Sequence, residues 1–204
     1  MAEWWNRQKD IPLNNKNFQK ILNFYLFNCP VETEKGSVRK RTKSYSKVSK
    51  RAKTLRAQGW TGGYLNTLLS SMKKTSSGQL YYHVFGVNTD INVEVCNIQK
   101  ITTLSDKHFE LIAMVERSDM NKTNAIFYYI RNAFAHGSFS VLKDGEKVIY
   151  YFQSTKDNNV KALIRLREET LLKWIKDVSL SPTELRNSLT QSRKKEPKKK
   201  GKVA

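Results

Sequence analysis

Apolar positions along this chain recur mostly at three- and four-residue steps, so it reads first as a set of amphipathic helices. Phe18, Ile21, Leu22 and Tyr25 share one face of a helix over Asn17–Phe27. Cys29-Pro30 ends it, because the residue before a proline avoids helical geometry. Residues 31–45 read as a loop, and Val48, Ala52 and Leu55 form the thin apolar edge of a basic helix over Ser46–Ala57. Tyr64, Leu65, Leu68, Leu69 and Met72 give a fuller stripe over Tyr64–Lys74. A turn over Thr75–Gly78 leads to two stretches that read as strands, Leu80–Val87 and Ile91–Ile101, the second with Ile91, Val93 and Val95 on one face. Phe109, Ile112, Ala113 and Val115 predict a helix over Asp106–Arg117. Ile126, Tyr129, Ile130, Ala133 and Phe134 predict another over Asn121–Gly137, with Gly137 placed to stop it.

Beyond Gly137 the period shortens. Phe139–Leu142 and Val148–Phe152 flank Asp144-Gly145, a hairpin signal, and Val160–Leu166 alternates as a third strand. Glu168–Val178 is a helix whose first-turn acids suit its dipole, and Ser181-Pro182 opens one more short helix. No repeat is visible. The expected fold is α+β but mainly α: one domain over residues 1–192, with a small antiparallel β-meander after the 121–137 helix and a basic disordered tail over 193–204.

Charge changes this picture. The net charge is +19, and residues 35–56 hold ten Lys or Arg and no acid, while Arg193–Lys202 holds seven basic residues against Glu196. The rest of the chain is close to neutral. Two basic segments on a near-neutral body imply a polyanionic partner, with RNA, DNA and an anionic membrane as candidates. The thin apolar edge of 46–57 argues against the membrane, since interfacial helices usually set Trp, Phe or Leu opposite their cations. Nucleic acid is the favoured partner, and Arg39, Lys40, Arg41, Lys43, Lys47, Lys50, Arg51 and Lys53 are the candidate contacts. No apolar run approaches the length of a membrane span, and no secretory signal is seen. Cys29 and Cys96 stand apart without a CxxC, which reads as two reduced thiols in a cytoplasm and no zinc site.

The candidate chemistry lies in Ile130-Arg131-Asn132-Ala133-Phe134-Ala135-His136-Gly137. Arg131 and His136 fall outside the apolar stripe. At about 100° per residue they diverge by roughly 140°, so they are poor partners within one helix and better ones across a dimer axis. Asn132 and His136, four apart, can touch. RNA supplies its own nucleophile, the 2′-hydroxyl. Histidine suits the proton transfers, and arginine offers a fixed bidentate charge to phosphate oxygens. No carboxylate cluster for a two-metal nuclease is evident, and no P-loop or G-x-S-x-G motif. His83, in a strand pattern between Tyr82 and Val84, reads as a partly buried structural residue, and His108 as a solvated one.

The Arg131–Asn132–His136 spacing resembles the R-x4-6-H signature of the HEPN superfamily, and "RNAFAHG" resembles its prokaryotic members. The resemblance is tight over about residues 121–139, looser to about 178, and has no counterpart in the first hundred residues. It implies a helical bundle and a metal-independent endoribonuclease needing no cofactor. His136 would be the acid/base and Arg131 the transition-state clamp, with Asn132 orienting His136 or binding phosphate. It further implies 2′,3′-cyclic phosphate and 5′-hydroxyl products, a homodimer, and a toxin or anti-phage role under a partner protein's control. The alternative is a non-catalytic HEPN-fold nucleic-acid-binding or scaffold protein.

Overall fold

The computed structural model describes residues 12–31, 53–101 and 109–195. Its centre is a five-stranded mixed sheet in the order β1-β2-β5-β4-β3. The strands are β1 (Leu80–Phe85), β2 (Glu110–Val115), β3 (Phe139–Asp144), β4 (Lys147–Lys156) and β5 (Asn159–Arg167). β1 and β2 run parallel, and every other neighbouring pair is antiparallel. The described helices are α1 (Lys16–Leu22), α2 (Gly63–Met72), α3 (Ile91–Ile101), α4 (Lys122–Ala135), α5 (Glu168–Ser179) and α6 (Pro182–Lys195).

The sheet separates two apolar clusters. On one face, Ile112, Met114, Tyr150, Phe152, Ala162, Ile164 and Leu166 meet the apolar stripes of α1, α2, α4, α5 and α6. On the other, Leu111, Ala113, Val115 and Leu163 meet Ile91 and Val95 of α3. β2 therefore alternates between two cores and is buried at every position.

This α/β architecture overturns the expected mainly helical bundle with a small meander. The meander exists as β3, β4 and β5, but it forms three strands of the central sheet rather than an appendage. Two exchanged elements account for the error. Ile91–Ile101 is a helix, not a strand. Asp90 accepts the Asn92 N–H at 2.9 Å, Ile91 and Val95 are buried one turn apart, and Val93 between them is 52 % exposed. Within the expected 106–117 helix, Glu110–Val115 is a strand. A strand buried on both faces is a continuous apolar run, which periodicity cannot separate from a buried helix. Parallel β1 and β2 then require a crossover, and α3 provides it.

The other departures are local. α1 is capped by Asn15, whose Oδ1 accepts from Asn17 and Phe18, and it continues into a π-helical turn over Asn23–Phe27. The described end of the expected basic helix is irregular chain at Lys53 and Thr54 followed by a 3-10 turn, Arg56–Gln58. α6 runs through Lys195, so the first residues of the expected tail are helical. Arg39, Lys40, Arg41, Lys43, Lys47, Lys50, Arg51, His108 and residues 196–204 lie outside the described residues.

Candidate nucleic-acid groove

α4 carries the motif, and the sheet dictates its path. Met114 is level with Ala162, Ala162 with Ser154, and Phe139 pairs with Phe152 two residues below. β2 thus ends and β3 begins towards the same end of the sheet, so α4 crosses β5 and β4 rather than running back along a strand. Asn121 caps it by accepting the Asn124 N–H at 2.9 Å. Ile126, Ile130, Ala133 and Phe134 are buried against the sheet, with the Phe134 ring 4.7 Å from Phe139 and 5.1 Å from Phe152.

The helix ends where the sequence placed its stop. Gly137 takes φ +65°, its N–H reaches the Phe134 carbonyl at 3.2 Å, and the Ser138 N–H reaches Ala133 at 2.8 Å. This paired closure needs a left-handed residue, which glycine adopts without strain. His136 has already left helical geometry, with φ −100° and ψ 3°, while its N–H still donates to the Asn132 carbonyl at 3.0 Å.

Asn121, Asn124, Tyr128, Arg131 and Asn132 fall within an arc of about 100° on α4, and His136 extends it. All six line one groove of about 1580 Å³ at the end of the sheet where β2 stops. Phe27, Cys29, Val31 and Arg56 line it too, as do Val115–Met120 and the β4–β5 turn with Lys156 and Lys161. Arg131 and Asn132 are half-buried and His136 is exposed. The structure therefore brings the three predicted residues into one groove despite their divergence, because the groove is broad enough to take both edges of the arc. Divergence alone no longer requires a second copy. Among the described residues no side-chain hydrogen bond joins Asn132 to His136.

The groove lining holds five cations, Arg56, Arg117, Arg131, Lys156 and Lys161, against three acids, Glu116, Asp119 and Asp157. Arg117 is committed: it grips Asp119 through two contacts, 2.9 and 2.6 Å, and lies 4.1 Å from the Tyr128 ring centre. That hydrogen bond holds the Asp119 carboxyl below its usual range. Arg56, Arg131, Lys156 and Lys161 are in no ion pair among the described residues. Cys29 is no candidate nucleophile, since burial pushes its thiol up to about 12 against the opposing pull of the nearby Arg131 charge.

Of the other candidates, Lys53 is exposed but does not line the groove. His83 is exposed on β1 rather than partly buried, its ring 4.3 Å from Phe85. Arg56 belongs to the basic segment but not to the contacts named from it, and Lys156, Lys161, Tyr128 and Phe27 were not expected at the site. Lys156 and Lys161 bracket Asp157-Asn158, both at positive φ, and that tight-turn pair was the available signal. Among the described residues no three or more His, Cys, Asp or Glu gather where they could hold a metal ion. No helix there is long and apolar enough to cross a membrane. Comparison with known proteins gives no match, whether to a family model, a curated protein or a solved structure.

Proposed function

We propose that this protein is a metal-independent endoribonuclease, cutting RNA by attack of a 2′-hydroxyl on the adjacent phosphorus. One observation carries the reading: Arg131, Asn132 and His136 line a single open groove together with Arg56, Lys156 and Lys161, which are in no ion pair among the described residues. The HEPN-like motif adds support through those three residues only, since the mixed sheet is not the bundle that resemblance implied.

His136 would take the 2′-hydroxyl proton or deliver one to the departing 5′-oxygen, and its exposure leaves room for substrate. Arg131, half-buried with its charge near the Cys29 thiol, would present its guanidinium to the phosphorane oxygens. Asn132 would bind phosphate or steady His136. The remaining cations would hold flanking phosphates without reading sequence. The products would be a 2′,3′-cyclic phosphate and a 5′-hydroxyl. Such an enzyme would act in a cytoplasm, and two unpaired cysteines agree with that.

The test is cleavage of total RNA in EDTA by the wild type and by His136→Ala and Arg131→Ala. Each variant should lose at least about a hundredfold in rate. RNA binding without cleavage by the wild type would favour the alternative, a nucleic-acid-binding protein.

A further inference from the structure

Five large apolar side chains stand exposed among the described residues: Leu13, Phe27, Val87, Val93 and Leu142. Single exposed apolar residues are ordinary and need no account. Two of these, Phe27 at 68 % and Val87 at 62 %, however, line the cation-rich groove. At about 100° per residue Phe27 falls about 180° from Phe18, on the side of the first helix opposite its buried stripe. The Asn28 N–H closes on the Asn23 carbonyl at 3.1 Å, five residues back, so the end of the first helix is a π turn. Phe24 and Tyr25 still pack inward, with ring centres 6.2 and 6.0 Å from Phe127. Phe27, the last residue of the turn, is left outside that cluster. Such π turns are uncommon and recur at functional sites.

Resting on the reading of this groove as an RNA site, we propose that Phe27 is a base-stacking residue that selects unpaired nucleotides. Aromatic rings in positively charged channels stack on bases that are not already stacked in a duplex. The charge complement is present in Arg56, Arg131, Lys156 and Lys161. The chemistry agrees: attack by the 2′-hydroxyl needs the departing oxygen in line, an arrangement that a regular A-form helix does not offer. A base held on Phe27 would keep a neighbouring nucleotide splayed within reach of Arg131 and His136. The substrate class is thus single-stranded or loop RNA.

The experiment measures binding by fluorescence anisotropy, using a short 2′-O-methyl RNA as a single strand and as a duplex. The blocked 2′-oxygens prevent turnover, so binding is read independently of cleavage. Phe27→Ala should weaken single-strand binding at least about fivefold, the lower end of the effect of losing one stacked base. Phe27→Leu should lose as much, Phe27→Trp should retain affinity, and duplex binding should not change in any variant. All three should melt like the wild type, since the side chain is exposed. Wild-type affinity in Phe27→Ala or in Phe27→Leu would overturn the proposal, as would an equal loss on the duplex. A change in oligomeric mass with unchanged RNA binding would also overturn it, and would assign Phe27 to a contact with a second copy. Were no RNA cleaved while Phe27→Ala still lost single-strand affinity, the nuclease reading would fall and the stacking site would stand.

Discussion

One face of α4 carries Ile126, Ile130, Ala133 and Phe134, all closed off from solvent, while the other carries Asn121, Tyr128, Arg131, Asn132 and His136, all at least partly open. The buried face holds the helix across β5 and β4, and its packing does not depend on what the open face carries. A helix fixed on one side can therefore set polar side chains at the edge of a groove without weakening the fold. The lesson extends to α3, whose Ile91 and Val95 are buried while Val93 faces out, and which contributes no residue to the groove. Both helices have a fixed side; of the two, only α4 has its open side turned to the groove that Arg56, Lys156 and Lys161 line.

The sharpest way to break this division is to exchange the expected effects of its two faces. Phe134→Ala should lower stability in denaturant by about 3–5 kcal/mol, the usual loss for a deleted core aromatic ring. His136→Ala and Arg131→Ala should each shift it by less than about 1 kcal/mol. A loss from either of these as large as that from Phe134→Ala would mean that the groove face is structural.

The open face is also meant to be electrostatic, and salt measures that. Arg56→Gln, Lys156→Gln and Lys161→Gln should each lower the log–log salt slope of RNA binding by about 0.7 to 0.9, one phosphate contact apiece. Neutralising Arg39, Lys40, Arg41 and Lys43 together gives the same readout for the basic segment. Slopes that move only with those four would shift the RNA path away from the α4 groove.

The last comparison concerns pH. Burial holds the Cys29 thiol protonated up to about 12 and the Tyr129 hydroxyl also up to about 12, whose ordinary values are 9.0 and 10.0. Below the ordinary values both folded and unfolded chains keep these protons, and the contribution to stability is complete. As pH rises towards the folded values, the unfolded chain releases protons that the folded chain retains, so stability falls. Denaturant titrations between pH 9 and 12 should show this decline, and in Cys29→Ala it should begin about one unit later. An unchanged onset would remove the thiol from the account.

The C-terminal half of the fold was legible because its local signals are strong. The Asp144-Gly145 turn marks the hairpin, the stripe on α4 declares one buried face, and Lys161, Arg165 and Arg167 give β5 an alternating pattern although Ala162–Leu166 is buried on both faces. β1, α3 and β2 were less legible. Glu110–Val115 has no wet side to supply a period, and Ile91, Val93 and Val95 imitate strand alternation although only two of them are buried. Asp90, a capping residue directly before Ile91, was the overlooked cue. At the site, Arg131, Asn132 and His136 could be singled out because they stand beside a regular stripe at a recognisable spacing. Arg56, Lys156 and Phe27 lie in a 3-10 turn, on β4 and in a π turn, and only the fold sets these three segments beside α4.

The most direct test of the open face of α4 is end-group analysis of RNA incubated in EDTA with the wild type, Arg131→Ala and His136→Ala at matched folded concentration. The account predicts new 2′,3′-cyclic phosphate and 5′-hydroxyl ends from the wild type, and at least about a hundredfold fewer from each variant. Folded His136→Ala or Arg131→Ala that cleaves at the wild-type rate would contradict it.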